Sequence, residues 1–221
     1  MEITPQEPSI GDASPTEIPE YRKRIKGENA AEAYRHRKQS KHRDEVRLVE
    51  LGLKHFPKGG MVLDAPCGNG RMTAVLVKAG FRATGVDLSD GTLAISREVL
   101  NAEGLEGDLV KSDLEALDFP AKHFQGALCF RFFHHLPEQD IRERVVGELC
   151  RVTEDAILIS YMSPWSPTML KRRMRHALGG KKSKQHATYL SDLEALFRPY
   201  GFVLRDNLAQ NRLLHSLHLA C

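Results

Sequence analysis

Two aspartates and a glycine-containing turn are the residues whose spacing indicates chemistry in this chain. One short apolar run ends at Asp64 and leads into Gly68-Asn69-Gly70, and the next apolar run ends at Asp87. Ligands of parallel sheets bind at the carboxyl ends of strands, where glycines let a ligand approach the backbone closely. Asp87 is placed to accept hydrogen bonds from two ribose hydroxyls, and Asp113 follows the next strand. The pattern predicts a nucleoside site, against the alternative of a tight turn beside an unrelated surface acid.

The type of nucleoside is indicated by what surrounds the turn. A dinucleotide site is typically Gly-x-Gly-x-x-Gly, whose third glycine lets helix and sheet pack closely. Here Gly68-Asn69-Gly70 is followed by Arg71-Met72-Thr73, so that third glycine is missing. The acid that precedes the turn, Asp64, would repel a pyrophosphate and attract a ligand that carries an ammonium and a sulfonium. NAD is therefore disfavoured.

Alternating strands and helices must position these residues. Five strands are predicted at 61–64, 81–87, 108–112, 126–130 and 156–161. The helices between them are predicted at 71–79, 89–102 and 137–152, with Ser89 as an N-cap and Pro137 in a first turn. A basic, polar stretch, a helix over 191–198, and strands over 202–205 and 213–220 complete the chain. The pattern predicts an α/β fold, a doubly wound and mostly parallel seven-stranded sheet with an antiparallel C-terminal edge hairpin.

Four segments of the sequence resemble the motifs of the class I methyltransferases. Val62–Arg71 is similar to the first motif of that family, Gly85–Ser89 to the second, and Lys111–Leu114 to the third. Gly126–Pro137 is similar to the fourth strand and the Leu-His-His-Leu loop of the branch called methyltransferase type 11. The resemblance covers roughly residues 56–202, and it implies a Rossmann-like methyltransferase fold with S-adenosyl-L-methionine as the cofactor.

The resemblance also implies which residues contact the cofactor. They are Asp64, Ala65, Pro66, Gly68, Gly70, Asp87, Leu88, Asp113, Leu114, Phe130 and Arg131. By that resemblance Asp64 and the turn hold the methionine end, and Asp87 holds the ribose. Leu88 and Asp113 would contact the adenine, and Phe130 with Arg131 would border the donated methyl. Pro66 departs from the family pattern, because it replaces the first glycine and removes an amide donor.

His134 and His135 are the candidate catalytic residues, since a histidine titrates near neutral pH and a methyl acceptor must often lose a proton. In the alternative, one of them packs inward and caps the next helix while the other is exposed. Alignment of acceptor, carbon and sulfur supplies most of the rate gain in methyl transfer, so a base is not obligatory. Cys67 lies in the cofactor turn and is interpreted as structural. The spacing of the histidines predicts no metal site.

Charge divides the chain into segments. Residues 1–20 carry five acids, four prolines and no Lys or Arg, and are interpreted as a flexible tail. Residues 21–57 are interpreted as a basic helical segment, because 21–47 hold ten Lys/Arg against four Asp/Glu. Residues 58–221 are assigned to the methyltransferase domain, and 171–184 within it carry seven Lys/Arg and no acid. Two basic blocks favour an anionic partner, although solvated faces are the common alternative.

The cysteines and the apolar runs bear on the compartment. Four scattered cysteines without a Cys-x-x-Cys pair indicate free thiols in a reducing compartment. No run approaches the ~18 apolar residues of a membrane helix, and the first residues lack the pattern of a secretory signal. The sequence predicts a cytoplasmic protein without a membrane span.

The sequence thus predicts an enzyme, an S-adenosylmethionine-dependent methyltransferase. Its expected acceptor is a small molecule, acidic, phosphorylated or amphiphilic in character. The first alternative is an RNA or protein methyltransferase that uses the basic segments, and it ranks lower because the chain has no recognisable nucleic-acid reader. A protein that binds the cofactor without turnover is the second alternative, and an NAD-dependent oxidoreductase is the third.

Overall fold

The computed structural model describes residues 39–180, 185–211 and 214–220. The predicted tail at 1–20, and residues 21–38 of the basic segment, lie outside the described residues. None of the helices within the described residues has the length and apolar character that a membrane span requires.

Seven strands of the described chain form one sheet, in the order β3-β2-β1-β4-β5-β7-β6. The strands are β1 (Met61–Asp64), β2 (Arg82–Asp87), β3 (Asp108–Lys111), β4 (Phe124–Cys129), β5 (Thr153–Tyr161), β6 (Leu204–Asn211) and β7 (Leu214–Ala220). The first five are parallel, and β7 pairs antiparallel with both β5 and β6. The predicted α/β class, parallel core and antiparallel C-terminal hairpin are therefore confirmed.

Six helices within the same residue ranges accompany the sheet. They are α1 (Gln39–Leu53), α2 (Arg71–Lys78), α3 (Asp90–Ala102), α4 (Gln139–Val152), α5 (Pro167–Ala177) and α6 (Leu190–Phe197). The Ser89 hydroxyl accepts the Thr92 amide at 3.2 Å, which confirms the predicted N-cap of α3. Pro137 was predicted in the first turn of α4, and that prediction is wrong, because the helix begins two residues later with Glu138 as its N-cap.

Helix α5 lies within the stretch that the sequence analysis described as basic and polar, with no helix predicted there. Ser166 caps it by accepting the Met169 amide at 3.3 Å, and Pro167 occupies its first turn. These two residues form a start signal that was present in the sequence. The high density of basic side chains, which is unusual for a helix packed on a core, concealed it.

The buried apolar residues of the described chain form two clusters. Helix α1 belongs to the second cluster through Leu48, Val49 and Leu53, which pack with β1 and β5 residues. A Cβ at Gly52 would lie only 2.6 Å from the Leu158 side chain, so α1 crosses the sheet closely at that point. The Leu51 side chain of the same helix faces away from this cluster and is 46% exposed.

Candidate functional site

The carboxyl ends of β1, β2 and β4 form the candidate site. Strand order reverses between β1 and β4, and ligands of open α/β sheets bind in the crevice outside such a reversal. Asp64 is the last residue of β1 and Asp87 is the last residue of β2. The two predicted acids therefore lie at one edge of the sheet, on neighbouring strands.

The turn after β1 holds its shape through the backbone and through α3. Gly68 and Gly70 have φ angles of 57° and 73°, which residues with a Cβ rarely adopt. A Cβ at Gly70 would also lie 2.9 Å from the Cβ of Ser96 in α3. The Ser96 hydroxyl donates to the Gly68 carbonyl at 2.6 Å. The turn is thus preorganised before any ligand arrives.

The residues just before Gly68 are fixed to the neighbouring strands. The Ala65 amide donates to the Leu128 carbonyl of β4 at 2.9 Å, and the Cys67 amide donates to the Val86 carbonyl of β2 at 2.7 Å. Pro66 is half-buried and follows a cis peptide bond. These contacts hold the turn between β2 and β4, directly after the carboxyl end of β1.

The Asp87 carboxylate connects the turn to the start of α3. It accepts the Gly68 amide at 3.2 Å and the Ser89 amide at 3.0 Å. Burial raises the pKa of Asp87, and the two backbone hydrogen bonds counter this effect. The side chain is only partly buried, so it is accessible to a ligand in the crevice. Leu88, the predicted adenine contact, is also half-buried beside it.

Asp64 is the most perturbed acid of the site. Its carboxylate is almost fully buried, and Oδ2 accepts the Thr73 hydroxyl at 2.7 Å. Its second oxygen, Oδ1, is buried without a hydrogen-bond partner among the residues that the structure describes. Burial is the main cause that raises the pKa of Asp64 to about 7, and the Asp87 charge adds to it.

The unpartnered oxygen of Asp64 indicates which kind of ligand fits the crevice. A buried polar atom without a partner costs free energy, and a cationic ligand group would remove that cost. The ammonium of a methionine moiety has the required charge, whereas a pyrophosphate would increase the repulsion. The two carboxylates, Asp64 and Asp87, therefore fit S-adenosylmethionine better than a dinucleotide.

An ion-pair cluster, buried at Glu45 and Arg71 and partly exposed at Arg131, joins α1 to the crevice. Glu45 of α1 accepts Nη1 of Arg71 at 2.7 Å and Nη1 of Arg131 at 3.0 Å. Arg71 is the first residue of α2, and its guanidinium lies 6.0 Å from the Phe130 ring centroid. The predicted pair Phe130 and Arg131 thus lies at the same edge as the turn, directly after β4.

Arg131 has a strained backbone. Its φ angle of 59° is rare for a residue with a Cβ, and its amide donates to the Ser160 hydroxyl of β5. Strain of this kind persists only where neighbouring contacts impose it, and it concentrates at ligand sites. The Ser160 and Glu45 contacts supply that constraint from both ends of the residue.

Asp113 and Leu114 follow β3 at the same edge of the sheet. Asp87 is in register with Lys111, two residues before Asp113. Asp113 Oδ1 accepts the Glu115 amide at 3.0 Å, and the Leu114 side chain is buried in the core. Because the Leu114 side chain is buried, the groups of this pair that can contact an adenine are the Asp113 carboxylate and the Leu114 backbone.

His134 and His135 form a single 3₁₀ turn with Phe133 after β4. The His134 side chain is buried and that of His135 is half-buried, with their ring centroids 4.3 Å apart. The alternative is confirmed in one part, because His134 packs inward, and wrong in another, because neither histidine caps the next helix, whose N-cap is Glu138. The backbone carbonyl of His134 accepts the His186 amide at 2.9 Å, which ties this turn to the segment after α5.

Two features bear on other chemistry at the site: the Cys67 thiol, as a possible nucleophile, and the arrangement of side chains that could bind a metal ion. The Cys67 thiol is buried, and burial raises its pKa far above the ordinary value, with further increases from the charges of Asp64 and Asp87. A thiol in that state is inert, because the thiolate is the nucleophile. Within the described residues, no group of three or more His, Cys, Asp or Glu side chains is arranged to hold a metal ion.

The polar residues of the site that the sequence did not single out include Glu45, Thr73 and Ser160. Glu45 had a readable signal, because it lies three and four positions before the buried Leu48 and Val49 and so shares their helix face. Thr73 and Ser160 had none, since a single hydroxyl in a helix or strand is common. Their roles depend on the neighbouring element that each one contacts.

Comparison with known proteins agrees with this geometry. Residues 62–156 match the sequence model of a family described as a methyltransferase domain. A protein of Encephalitozoon cuniculi named as a methyltransferase is 32% identical over 149 residues, which are 66% of this chain and 66% of that protein. The ubiquinone biosynthesis O-methyltransferase of Coxiella burnetii is 31% identical over 93 residues, 42% of this chain and 40% of that enzyme. The chain thus matches less than two thirds of the length of these relatives.

A solved structure shares the fold. The magnesium protoporphyrin IX methyltransferase of Synechocystis, with bound S-adenosylhomocysteine, superposes with a TM-score of 0.68 at 16% identity, covering 81% of this chain and 82% of that one. The matched residues 62–156 include the turn, Asp64, Asp87, Asp113 and both histidines. With its motifs, its fold and these matches, the chain belongs to the class I S-adenosylmethionine-dependent methyltransferases.

Proposed function

We propose that this protein transfers the methyl group of S-adenosylmethionine to a small acidic or amphiphilic molecule. One observation carries the cofactor half of the proposal. The buried Oδ1 of Asp64 lacks a partner among the described residues, and it lies at the end of β1 beside the turn. The cofactor half is supported further by Asp87, whose half-buried carboxylate stands at the end of the next strand.

Each residue of the crevice has a distinct task in this proposal. The cofactor, when bound, supplies an electrophilic methyl on a sulfonium. Asp64 balances the positive charge at the methionine end, and Asp87 accepts from the ribose hydroxyls while it keeps the turn closed. Arg71 and Arg131 present guanidinium groups that can hold a carboxylate, and Glu45 keeps both of them in position.

The acceptor is proposed to bind on the side of the crevice formed after β4. Phe130 and Arg131 offer an aromatic face and a cation there, which suits an acidic aromatic or amphiphilic molecule. His134 or His135 is the group available to accept the acceptor's proton, although alignment supplies most of the rate gain. Named relatives support a small-molecule acceptor, since one acts in ubiquinone biosynthesis and another on magnesium protoporphyrin IX.

The compartment is proposed to be reducing, as in the cytoplasm. Cys67, Cys129 and Cys150 are free and buried in the described part of the chain. Burial raises the pKa of each of these thiols, which keeps them protonated and unreactive.

The proposed activity is tested by incubating the purified protein with labelled S-adenosylmethionine and a small-molecule fraction of cell extract. We expect label in a low-molecular-mass product that partitions as an acid or an amphiphile. A variant with Asp87→Asn is the matched control, because it keeps the side-chain shape and removes the charge. Label that appears only in RNA or in protein would contradict the acceptor class. Cofactor binding without any labelled product would contradict turnover.

A further inference from the structure

Helix α5 presents an apolar stripe to solvent. Leu170 and Met174 lie on one side of the helix, and Leu178 follows its last turn at the same four-residue spacing. With about 100° of rotation per residue, the three side chains fall within an arc of about 80°. Met174 is 65% exposed and Leu178 is 86% exposed. Trp165, just before the helix, is a further large apolar side chain that is 71% exposed.

The opposite side of α5 holds the helix on the body of the protein. Met169 is buried, and Ser166 caps the helix through the Met169 amide. Arg172 lies on this inner side, where it donates to the Met162 sulfur at 3.7 Å and to the Gln185 side chain. These contacts fix the rotation of the helix, so the apolar stripe faces away from the core.

Basic side chains border the stripe on both sides. Arg173 lies on one flank, and Lys171 and Arg175 lie on the other, all of them exposed. Between residues 156 and 191 the chain contains no Asp or Glu. Long basic side chains can lay their aliphatic stems along apolar groups and keep their charges at an anionic surface. This arrangement is typical of helices that lie in the plane of a membrane interface.

We propose that the outer face of α5, together with Trp165, docks on the surface of an anionic lipid bilayer. The partner is a bilayer because the surface combines a convex apolar stripe with a cationic border, which a small ligand cannot cover. A second copy of this chain would bring one acid-free cationic helix against another, which is electrostatically unfavourable. A nucleic acid would contact the basic side chains but would leave the apolar stripe exposed to solvent.

The docked surface and the candidate crevice lie at the same edge of the sheet. Helix α5 follows the carboxyl end of β5, and the segment after it is hydrogen-bonded to His134 and to Met162. Docking would therefore bring the crevice near the lipid interface, where an amphiphilic acceptor is available. This consequence rests on the proposed function, whereas the docking itself does not.

The proposal is tested by co-sedimentation of the full chain with vesicles, at about 0.1 M salt so that weak charge effects are screened. Vesicles of phosphatidylcholine alone are compared with vesicles that contain about 30% phosphatidylglycerol, which supplies the negative surface potential. Trp165 is the only Trp of the chain, so its emission reports insertion directly. We expect binding to the anionic vesicles only, with a shift of that emission to shorter wavelength.

Two variants separate the apolar stripe from its charges. Leu170→Gln/Met174→Gln/Leu178→Gln is expected to weaken vesicle binding at least about tenfold. Arg173→Gln/Arg175→Gln is expected to weaken it by about fivefold for each removed charge. Val203→Gln, which also changes an exposed apolar residue, is the matched control and should bind as the unaltered protein does. All five residues changed in the two test variants are exposed, so thermal unfolding should be preserved.

Several results would overturn the proposal. One is unchanged Trp165 emission and no sedimentation with anionic vesicles. Another is vesicle binding that the triple Gln variant leaves undiminished, because another basic segment would then carry it. A third is a stable dimer in sedimentation equilibrium that the triple variant dissociates. The fourth is tight binding of an RNA oligonucleotide by α5 without any binding of vesicles.

Discussion

Replacing Asp64 by Asn changes one oxygen to an amide and removes the ionisable group that the site depends on. Burial raises the pKa of Asp64 from 3.8 to about 7 in the folded protein. Between these two values the unfolded chain has lost the proton and the folded chain still holds it. The Asp64 contribution to stability therefore falls as pH rises from about 4 to about 7, and is constant above that range.

The size of this effect follows from the two pKa values. The difference between 3.8 and about 7, at about 1.4 kcal/mol for each pKa unit, gives about 4 kcal/mol of stability lost across the interval. The Asp64→Asn variant has no such dependence. The difference in unfolding free energy between the variant and the unaltered protein should thus grow by about 4 kcal/mol from about pH 4 to about pH 7.

Urea unfolding followed by circular dichroism measures this difference, since the exposed Trp165 is a poor reporter of the core. Each pH point needs both proteins, so that the titration of all other groups cancels. A difference that stays constant across the interval would refute the reasoning, because Asp64 would then already be ionised in the folded protein at low pH.

The same raised pKa links cofactor binding to a proton. A cationic ligand group beside Asp64 favours its carboxylate form, so binding at about pH 6 should release a proton from that residue. Titration calorimetry in buffers of different ionisation heat measures the number released. We expect about one more proton for the unaltered protein than for Asp64→Asn, and equal numbers would contradict the proposed contact.

Three other substitutions test the surroundings of Asp64, and two of them have a matched control variant. Asp87→Ala should weaken cofactor binding by about 1–3 kcal/mol through lost charge-assisted hydrogen bonds, and an unchanged dissociation constant in calorimetry would exclude it from the site. Gly70→Ala should destabilise the fold by roughly 2–3 kcal/mol, since it adds a 2.9 Å contact to the strain of its φ angle. Gly80→Ala, which has a similar φ and open space around it, should cost about 1 kcal/mol in the same thermal unfolding assay. Glu45→Ala should cost about 3 kcal/mol of stability, because it leaves two guanidinium groups without their shared acid. The exposed Glu50 lies on the same helix, and Glu50→Ala is the control. If the two variants are equally stable, the proposed role of the cluster is contradicted.

The fold was predictable because its local signals agree with one another. Apolar runs that end in acids, glycines after them, and helix caps such as Ser89 all indicate the same alternation of strand and helix. The crevice followed from topology, since parallel strands bring their carboxyl ends to a single edge. That rule alone brings Asp64, Asp87 and Asp113 together across about fifty residues of sequence.

The unpredicted parts depend on contacts between distant elements. Helix α5 was not predicted because its apolar residues at four-residue spacing, Leu170 and Met174, face solvent and lie among many basic residues, so the sequence shows no buried face. Glu45 was interpreted as one charge of a basic segment, whereas its carboxylate bonds residues 26 and 86 positions away.

A crystal structure of the protein with S-adenosylhomocysteine at saturating concentration is the most direct test of the cofactor site. We expect the ligand at the carboxyl ends of β1 and β2, with the ribose hydroxyls on the Asp87 carboxylate and the ammonium beside Oδ1 of Asp64. An empty crevice, or a ligand bound with both carboxylates turned away from it, would contradict the assignment of these two acids.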